Sequence, residues 1–386
     1  MAFQDRIALI KRIEELRQSS VLCFLTSVRP NFPAAMSEDA VRVFFEQMLL
    51  LPQRPVKKLD IFLCSNGGSG TVPWRLISLF REFADSVCVL IPFRAYSAAS
   101  LLALGADEII MHPFAEMGPI DPTVSNEFNP VDAQSRQRLG ISVEDVKAYI
   151  SFIKTTVGIH HEDELIKAIE ILAQKVHPLA LGNVERFISQ SRLIARKILE
   201  THMKKEDQHN IDEIIEMMAS KLFFHGHPIN RKEAREELKL KVVEKVPPEL
   251  ETGMWTLYKD FEAEMENRIA FDPMTEIYVK GKKFAEAVAA AAAAPMPGSA
   301  APGAAAPAAP PAAPVAPAGA PAVVSPVIQP GITAEMDLIV TMIESARLSS
   351  RFSMKKRWVV AGMGPMNEPM IRDETLAQGW EHSPAP

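Results

Sequence analysis

Cysteine is scarce in this chain of 386 residues, which contains only Cys23, Cys64 and Cys88. No two of them form a CxxC pair, and each lies inside an apolar run. A disulfide framework and a zinc knuckle are therefore both disfavoured. We expect three buried free thiols in a reducing compartment, which predicts a cytoplasmic protein.

Long hydrophobic runs and a signal-peptide pattern are also missing. No uncharged apolar run reaches about 18 residues, so the sequence predicts no transmembrane segment. Residues 1–20 are charged and helix-patterned, without the apolar core and cleavage site of a signal peptide. The 48 acidic and 42 basic residues give a net charge of -6, which does not favour nucleic acid or an anionic membrane as a partner.

The composition changes twice along the chain. Residues 1–285 have the composition of a globular domain that can bury a large core. Residues 286–332 are mostly Ala, Pro and Gly, which predicts a disordered, extended linker. Residues 333–386 regain ordinary composition, and their amphipathic start predicts a short helix-containing tail that ends in an extended piece.

Strand and helix patterns alternate in the first region. Short apolar runs predict four strands, at 20–26, 59–64, 86–91 and 108–111. Amphipathic stretches predict helices between them, at 38–51, 72–84 and 98–104, and four more helices at 143–157, 162–176, 184–205 and 211–220. This order predicts an α/β fold with a parallel sheet and a helical extension.

Two loops after neighbouring strands carry the residues that acyl-transfer chemistry needs. The turn "SNGGSG" contains Gly67 and Gly68, which let the backbone approach a substrate and aim N–H groups at it. The loop "PFRAYSA" contains Ser97 at the start of a helix, and Ser100 follows one helical turn later. A plain Gly-Gly turn and small residues at a packing contact would give the same pattern, so spacing alone leaves both interpretations open.

The order and the residues of these segments favour the acyl-transfer interpretation. The stretch "LDIFLCSNGGSG", followed by "VLIPFRAYSAASLLALGADEIIMHPFAEMGPIDP", resembles the ClpP/crotonase-fold serine peptidases. It is most similar to the signal-peptide-peptidase-A-like group, and within that group to the prokaryotic serine dehydrogenase proteinases. The resemblance covers about residues 5–250 and implies a repeated β-β-α superhelix around a parallel sheet.

The resemblance also implies roles for individual residues. Ser97 would be the nucleophile, and the N–H groups of Gly67 or Gly68, and of Ala98, would hold the oxyanion. Signal-peptide-peptidase-A-like enzymes use a lysine as general base, and Lys147 is the first lysine after the serine. The family implies a peptide or protein substrate, assembly of several copies, and no cofactor or metal.

Three features of the sequence leave alternatives to a serine peptidase with Lys147 as its base. ClpP-like enzymes carry their histidine base near the position of Ile120, where this chain has no histidine. Lys147 lies three residues after Glu144 and also fits a solvated helix face, and Lys154 is the next candidate. A missing base would make the chain a non-catalytic scaffold, a pseudopeptidase that binds peptides or partner proteins. An acyl-CoA enzyme of the crotonase type would use the same oxyanion hole.

Overall fold

Apolar strands alternate with amphipathic helices in the computed structural model of the chain, which describes residues 3–120, 123–124, 127–132, 138–221, 227–279, 330–364 and 369–385. The helices are α1 (Phe3–Arg17), α2 (Asp39–Leu49), α3 (Val72–Phe83), α4 (Ala98–Ala103), α5 (Val143–Ser151), α6 (Glu162–Ala173), α7 (Pro178–Leu199), α8 (Gln208–Glu216), α9 (Arg231–Glu236) and α10 (Pro248–Glu264). The strands are β1 (Ser20–Thr26), β2 (Val28–Arg29), β3 (Phe32–Pro33), β4 (Leu59–Cys64), β5 (Val87–Ile91), β6 (Arg94–Ala95), β7 (Glu108–Met111), β8 (Glu116–Met117), β9 (Thr123–Val124), β10 (Ile141–Ser142), β11 (Ile229–Asn230), β12 (Thr333–Glu344), β13 (Leu348–Met363) and β14 (Pro369–Pro384).

The predicted parallel sheet is confirmed. Strands β1, β4, β5 and β7 lie side by side and run parallel. Every residue of β1, β4 and β5 is buried, as expected for parallel strands that are covered on both faces. Successive side chains point to opposite faces. Leu22 and Phe24 therefore join the core formed with α2, α3, α4 and α7, whereas Val21 and Cys23 join the core formed with α1 and α10.

This arrangement places the two predicted loops beside each other. Phe62 in β4 pairs with Leu90 in β5, so both strands end at the same edge of the sheet. Ligands of parallel α/β sheets bind at this edge. The three cysteines are buried and free, as predicted.

The C-terminal segment differs from its prediction. Residues 333–344, 348–363 and 369–384 form strands β12, β13 and β14, so the predicted helix is wrong. Part of β12 pairs antiparallel with β1, where Phe24 lies opposite Ile343. The β-branched residues of this stretch favour a strand. Its pairing partner stands near the other end of the sequence, and a local helical pattern does not reveal such a partner.

The chain divides into two compact units. The first comprises Met1–Ala270, Ile339–Ser353 and Gly379–Pro386, and the second comprises Phe271–Leu338 and Met354–Gln378. Within the second unit, the rings of Phe271 and Trp358 lie 5.1 Å apart. The predicted linker at 286–332 lies outside the described residues up to residue 329, and the domain limits at 285 and 333 stay predictions. Among the described residues, no helix is long and apolar enough to span a membrane.

Candidate active site

The turn after β4 is packed directly against Ser97. Gly67 and Gly68 have φ angles of +98° and +151°, in the region that favours glycine. A Cβ atom on Gly67 would lie 2.6 Å from the Tyr96 carbonyl oxygen and 2.8 Å from Ser97 Cβ. These approaches leave no room for a side chain, so the turn and the serine loop meet as the sequence predicts.

Backbone hydrogen bonds hold the turn from the other side. Met36 N–H donates to the Gly67 carbonyl oxygen at 2.7 Å, and Ser69 N–H donates to the Met36 carbonyl oxygen at 2.9 Å. A Cβ atom on Gly68 would lie 2.3 Å from the Met36 nitrogen. The Gly67–Gly68 peptide is therefore fixed between Met36 and Ser97.

Ser97 lies at the junction of β6 and α4 with a strained backbone. Its φ and ψ angles are 52° and −116°, which a non-glycine residue rarely adopts. Such a conformation costs about 1–3 kcal/mol and is found most often at functional sites. The half-buried side chain makes no capping hydrogen bond to α4, so its hydroxyl is not used to begin the helix.

The N–H groups around Ser97 divide into bound and unbound donors. Gly67 N–H donates to Ser65 Oγ at 3.0 Å and is therefore occupied. The N–H groups of Gly68 and Ala98 make no backbone hydrogen bond within the described part of the chain. Gly68 is also exposed, whereas Gly67 is buried. Two free donors thus flank Ser97, one on each side.

A cavity of about 260 Å³ opens at Ser97. Its described lining combines the Gly-rich turn, the start of α4 and one side of α7: Gly68, Ser69, Gly70, Thr71, Ser97, Ala98, Leu101, Ile120, Phe187, Gln190, Ser191 and Ile194. This lining contains no Lys, His, Asp or Glu. Ser191 Oγ donates to the Ile120 carbonyl oxygen at 2.8 Å, which joins α7 to the loop after β8.

Ser100 is a packing residue, as predicted. It is fully buried, and its Oγ lies 2.6 Å from the Ala95 carbonyl oxygen and 2.7 Å from the Gly118 carbonyl oxygen. Gly118 N–H also donates to it at 3.2 Å. Nearby, Tyr96 Oη donates to Glu116 Oε1 at 2.7 Å, and burial together with this carboxylate raises the pKa of Tyr96. Tyr96 therefore stays a neutral donor that ties the Ser97 loop to β8.

The structure describes the candidate general bases in less detail than Ser97. Lys147 belongs to α5, and its side chain lies outside the described residues. Lys154 is exposed in the π-helical turn Phe152–Thr156 that follows α5. His112 stacks on Trp255 with 5.0 Å between ring centroids, and its Nδ1 accepts from Phe114 N–H. His112 therefore has the packing role expected of a residue at a strand end.

Sequence reasoning missed the α7 wall of the cavity. Phe187 and Ile194 follow ordinary helical spacing and carry no sign of a site. It also missed Thr26, whose Oγ1 donates to Ser65 Oγ at 2.8 Å beneath the Gly-rich turn. Ser65 belongs to the "SNGG" motif, and a serine at the end of an apolar strand, next to a Gly-Gly turn, was the one sequence feature that could have indicated this hydrogen bond.

Both loops of this site lie in the part of the chain that matches a known protein family. Residues 3–147 match the family model described as ClpP-like SDH-type serine proteinase. The predicted family resemblance is confirmed. The matched ClpP-like segment includes the Gly-rich turn, Ser97 and the backbone position of Lys147, but it ends well before residue 250, where the sequence comparison placed the limit.

Two curated relatives are uncharacterized proteins of Methanocaldococcus jannaschii. MJ1495 is 27% identical over 147 residues, which are 36% of this chain and 49% of the relative. MJ0137 is 26% identical over 203 residues, which are 53% of this chain and 59% of the relative. The chain thus spans between about half and three fifths of the relatives' lengths. Among solved structures, a membrane-bound stomatin-specific protease matches 61% of this chain and 84% of its own at 15% identity, with a TM-score of 0.33.

Proposed function

We propose that the chain is a serine peptidase in which Ser97 attacks the carbonyl carbon of a peptide bond. The observation that carries this proposal is the strained Ser97 between two unbonded N–H groups, those of Gly68 and Ala98, at the mouth of a cavity. Donors that are fixed before the reaction stabilise the oxyanion of the tetrahedral intermediate without reorganisation. The family match supports the same reaction class.

The proposed step is an acyl transfer to Ser97. Ser97 Oγ forms a bond to the carbonyl carbon while its proton passes to a general base. Collapse of the intermediate breaks the C–N bond, and the base returns the proton to the leaving amine. Water then hydrolyses the acyl-enzyme by the same route. Gly67 does not contribute a donor here, because its N–H is bound to Ser65.

A fluorophosphonate probe tests the nucleophile. The wild-type chain should be labelled, and Ser97→Ala should not be labelled at any pH. Ser86→Ala is the matched control, because Ser86 lies at the opposite end of β5 and should label normally. Labelling of Ser97→Ala at the wild-type rate would refute the assignment.

We propose Lys147 as the base, in a Ser-Lys type of peptidase. A lysine can accept a proton only when it is neutral, and burial or nearby positive charge lowers its pKa toward that state. One observation supports the choice: the residue falls within the matched segment. Lys147→Ala should slow labelling by about 100-fold or more. The exposed Lys154 provides a matched control, and equal rates for Lys147→Ala and wild type would exclude the role.

The lack of titratable residues in the described cavity lining favours a second candidate, a non-catalytic scaffold that binds peptides in this cavity. Absence of labelling between pH 6 and pH 10, together with binding of peptides to the wild-type chain, would support the scaffold over the peptidase. Labelling that Ser97→Ala abolishes would exclude it.

We also propose that several copies of the chain assemble. On α6, Ile166, Ile169 and Ile171 are each about half exposed, and Phe152 and Val157 are exposed just before it. Large apolar side chains exposed along one segment indicate a contact surface. Light scattering on the wild type should give a multiple of the 42.6 kDa chain mass. Ile166→Asp combined with Ile169→Asp should reduce that mass, and a monomeric wild type would refute the assembly. A cytoplasmic location stays a prediction from the sequence.

A further inference from the structure

Two buried hydroxyls lie beneath the Gly-rich turn and serve no obvious packing purpose. Thr26, the last residue of β1, and Ser65, the first residue after β4, are both fully buried. Thr26 Oγ1 donates to Ser65 Oγ at 2.8 Å. A buried hydroxyl destabilises a fold unless it is hydrogen-bonded, and apolar residues fill the neighbouring positions of both strands. The two buried hydroxyls at this position therefore indicate a functional role.

Ser65 connects both halves of the site. Its Oγ also accepts the Gly67 N–H at 3.0 Å, which fixes the first peptide of the Gly-rich turn. Its backbone N–H donates to the Arg94 carbonyl oxygen at 2.9 Å, and its carbonyl oxygen accepts from Tyr96 N–H at 3.0 Å. The side chain of Ser65 thus holds the turn, while its main chain holds the segment that leads into Ser97.

The bond to Gly67 decides which N–H faces the cavity. Because Gly67 N–H points down to Ser65 Oγ, the next N–H, that of Gly68, is left to point elsewhere and is unbonded. Thr26 in turn orients Ser65, since its hydroxyl proton occupies one of the two acceptor positions of Ser65 Oγ and leaves the other for Gly67.

We propose that Thr26 and Ser65 are positioning residues for the oxyanion hole: together they orient the Gly67–Gly68 turn so that Gly68 N–H can bind the oxyanion formed at Ser97. This inference rests on the proposed peptidase function. Neither residue touches the substrate, so their effect is on the transition state and not on peptide binding. Removal of an oxyanion donor lowers kcat by about 100-fold to 1,000-fold, and a donor that is misplaced but present should lose part of that factor.

Thr26→Val and Thr26→Ser give a matched pair of variants. Valine keeps the shape and loses the hydroxyl, whereas serine keeps the hydroxyl. We expect Thr26→Val and Ser65→Ala to lower kcat for a peptide substrate, and the rate of fluorophosphonate labelling, by about 10-fold to 100-fold. KM should stay within about two-fold of wild type, because substrate contacts are unchanged. Thr26→Ser should retain most of the wild-type rate.

Ser345→Ala controls for the general cost of a lost buried hydroxyl. Ser345 Oγ is comparable to Ser65 Oγ: it is buried, it donates to a buried side chain, Gln47 Oε1, and it accepts the N–H two residues later, that of Arg347. Its variant should lose a similar amount of thermal stability and keep the wild-type kcat.

The outcomes separate this inference from the proposed function. If the wild type is not labelled, or Ser97→Ala labels like wild type, the peptidase proposal fails and this inference fails with it. If Ser97 is the labelled residue but Thr26→Val and Ser65→Ala react within about two-fold of wild type, the positioning role alone is refuted. Equal losses of kcat in Ser345→Ala and Ser65→Ala would also refute it, since the effect would then be only structural.

Discussion

Replacement of Arg6 by Met should strongly destabilise the first unit. Arg6 in α1 is 1% exposed and faces three carboxylates. Its Nε and Nη2 donate to the two oxygens of Glu344 at 2.8 Å each, and Nη1 donates to Asp260 Oδ1 at 2.8 Å and also to Glu264. Burial opposes the charge of the guanidinium, but the hydrogen bonds and charge of Glu344 outweigh it and raise the pKa of Arg6. Arg6 is therefore always cationic.

The expected loss follows from what the substitution leaves behind. Methionine preserves most of the apolar stem but loses the guanidinium, whose Cζ lies 4.8 Å from the centre of the Phe261 ring. Glu344, fully buried, would then lack its main cation, and removal of one partner of a buried pair costs about 3–5 kcal/mol. For a unit of this size that loss lowers the Tm by roughly 5–8 °C.

A double-mutant cycle with Glu344→Gln makes the test specific. If Arg6 acts through Glu344, the doubly substituted chain should be less destabilised than the sum of the two single variants, because the neutral amide needs no counter-charge. The measurement is the unfolding midpoint of the full chain by circular dichroism. A loss of less than about 1 kcal/mol for Arg6→Met, or additive losses, would refute this account.

Two further predictions concern pH and backbone geometry. Burial lowers the pKa of His202 from 6.5 to about 4, so the folded protein keeps it neutral. Its contribution to stability is present above pH 6.5 and falls as the pH drops toward 4, by about 3 kcal/mol in total, and His202→Gln should flatten that part of the curve of Tm against pH. Gly67→Ala should abolish labelling at Ser97 and destabilise the chain by about 2 kcal/mol or more, because its Cβ would collide with Tyr96 at a positive φ. Gly182→Ala lies inside α7, where a Cβ meets no atom within 4 Å, so it should keep normal labelling and raise stability by up to about 1 kcal/mol. Equal behaviour of the two variants would contradict the steric argument.

The α/β core was predictable because its signals are local. Strands such as Val87–Ile91 are continuous apolar runs of the correct length, and each is followed by a turn or a helix start. The meeting of Gly67 with Ser97 follows from parallel pairing, since neighbouring parallel strands end at one edge. The choice of Gly68 over Gly67 as the proposed oxyanion donor was not predictable, because it depends on the side chain of Ser65, which binds the N–H of Gly67.

Strand β12 could not be predicted from local sequence, because its pairing partner is distant in the chain, and this pairing gives a last test. Thr341–Glu344 pairs with β1, and Glu344 neutralises Arg6, although both partners lie near the start of the sequence. A fragment of residues 1–285 would contain the whole matched family segment and yet expose the edge of β1 and leave Arg6 without Glu344. Exposed strand edges promote aggregation. We therefore expect this fragment to be poorly soluble and to show little labelling at Ser97, whereas a chain from which ten residues of the Ala/Pro-rich segment are deleted should label normally. If the fragment is soluble, unfolds at the wild-type temperature and labels normally, the C-terminal strand is not part of the functional fold.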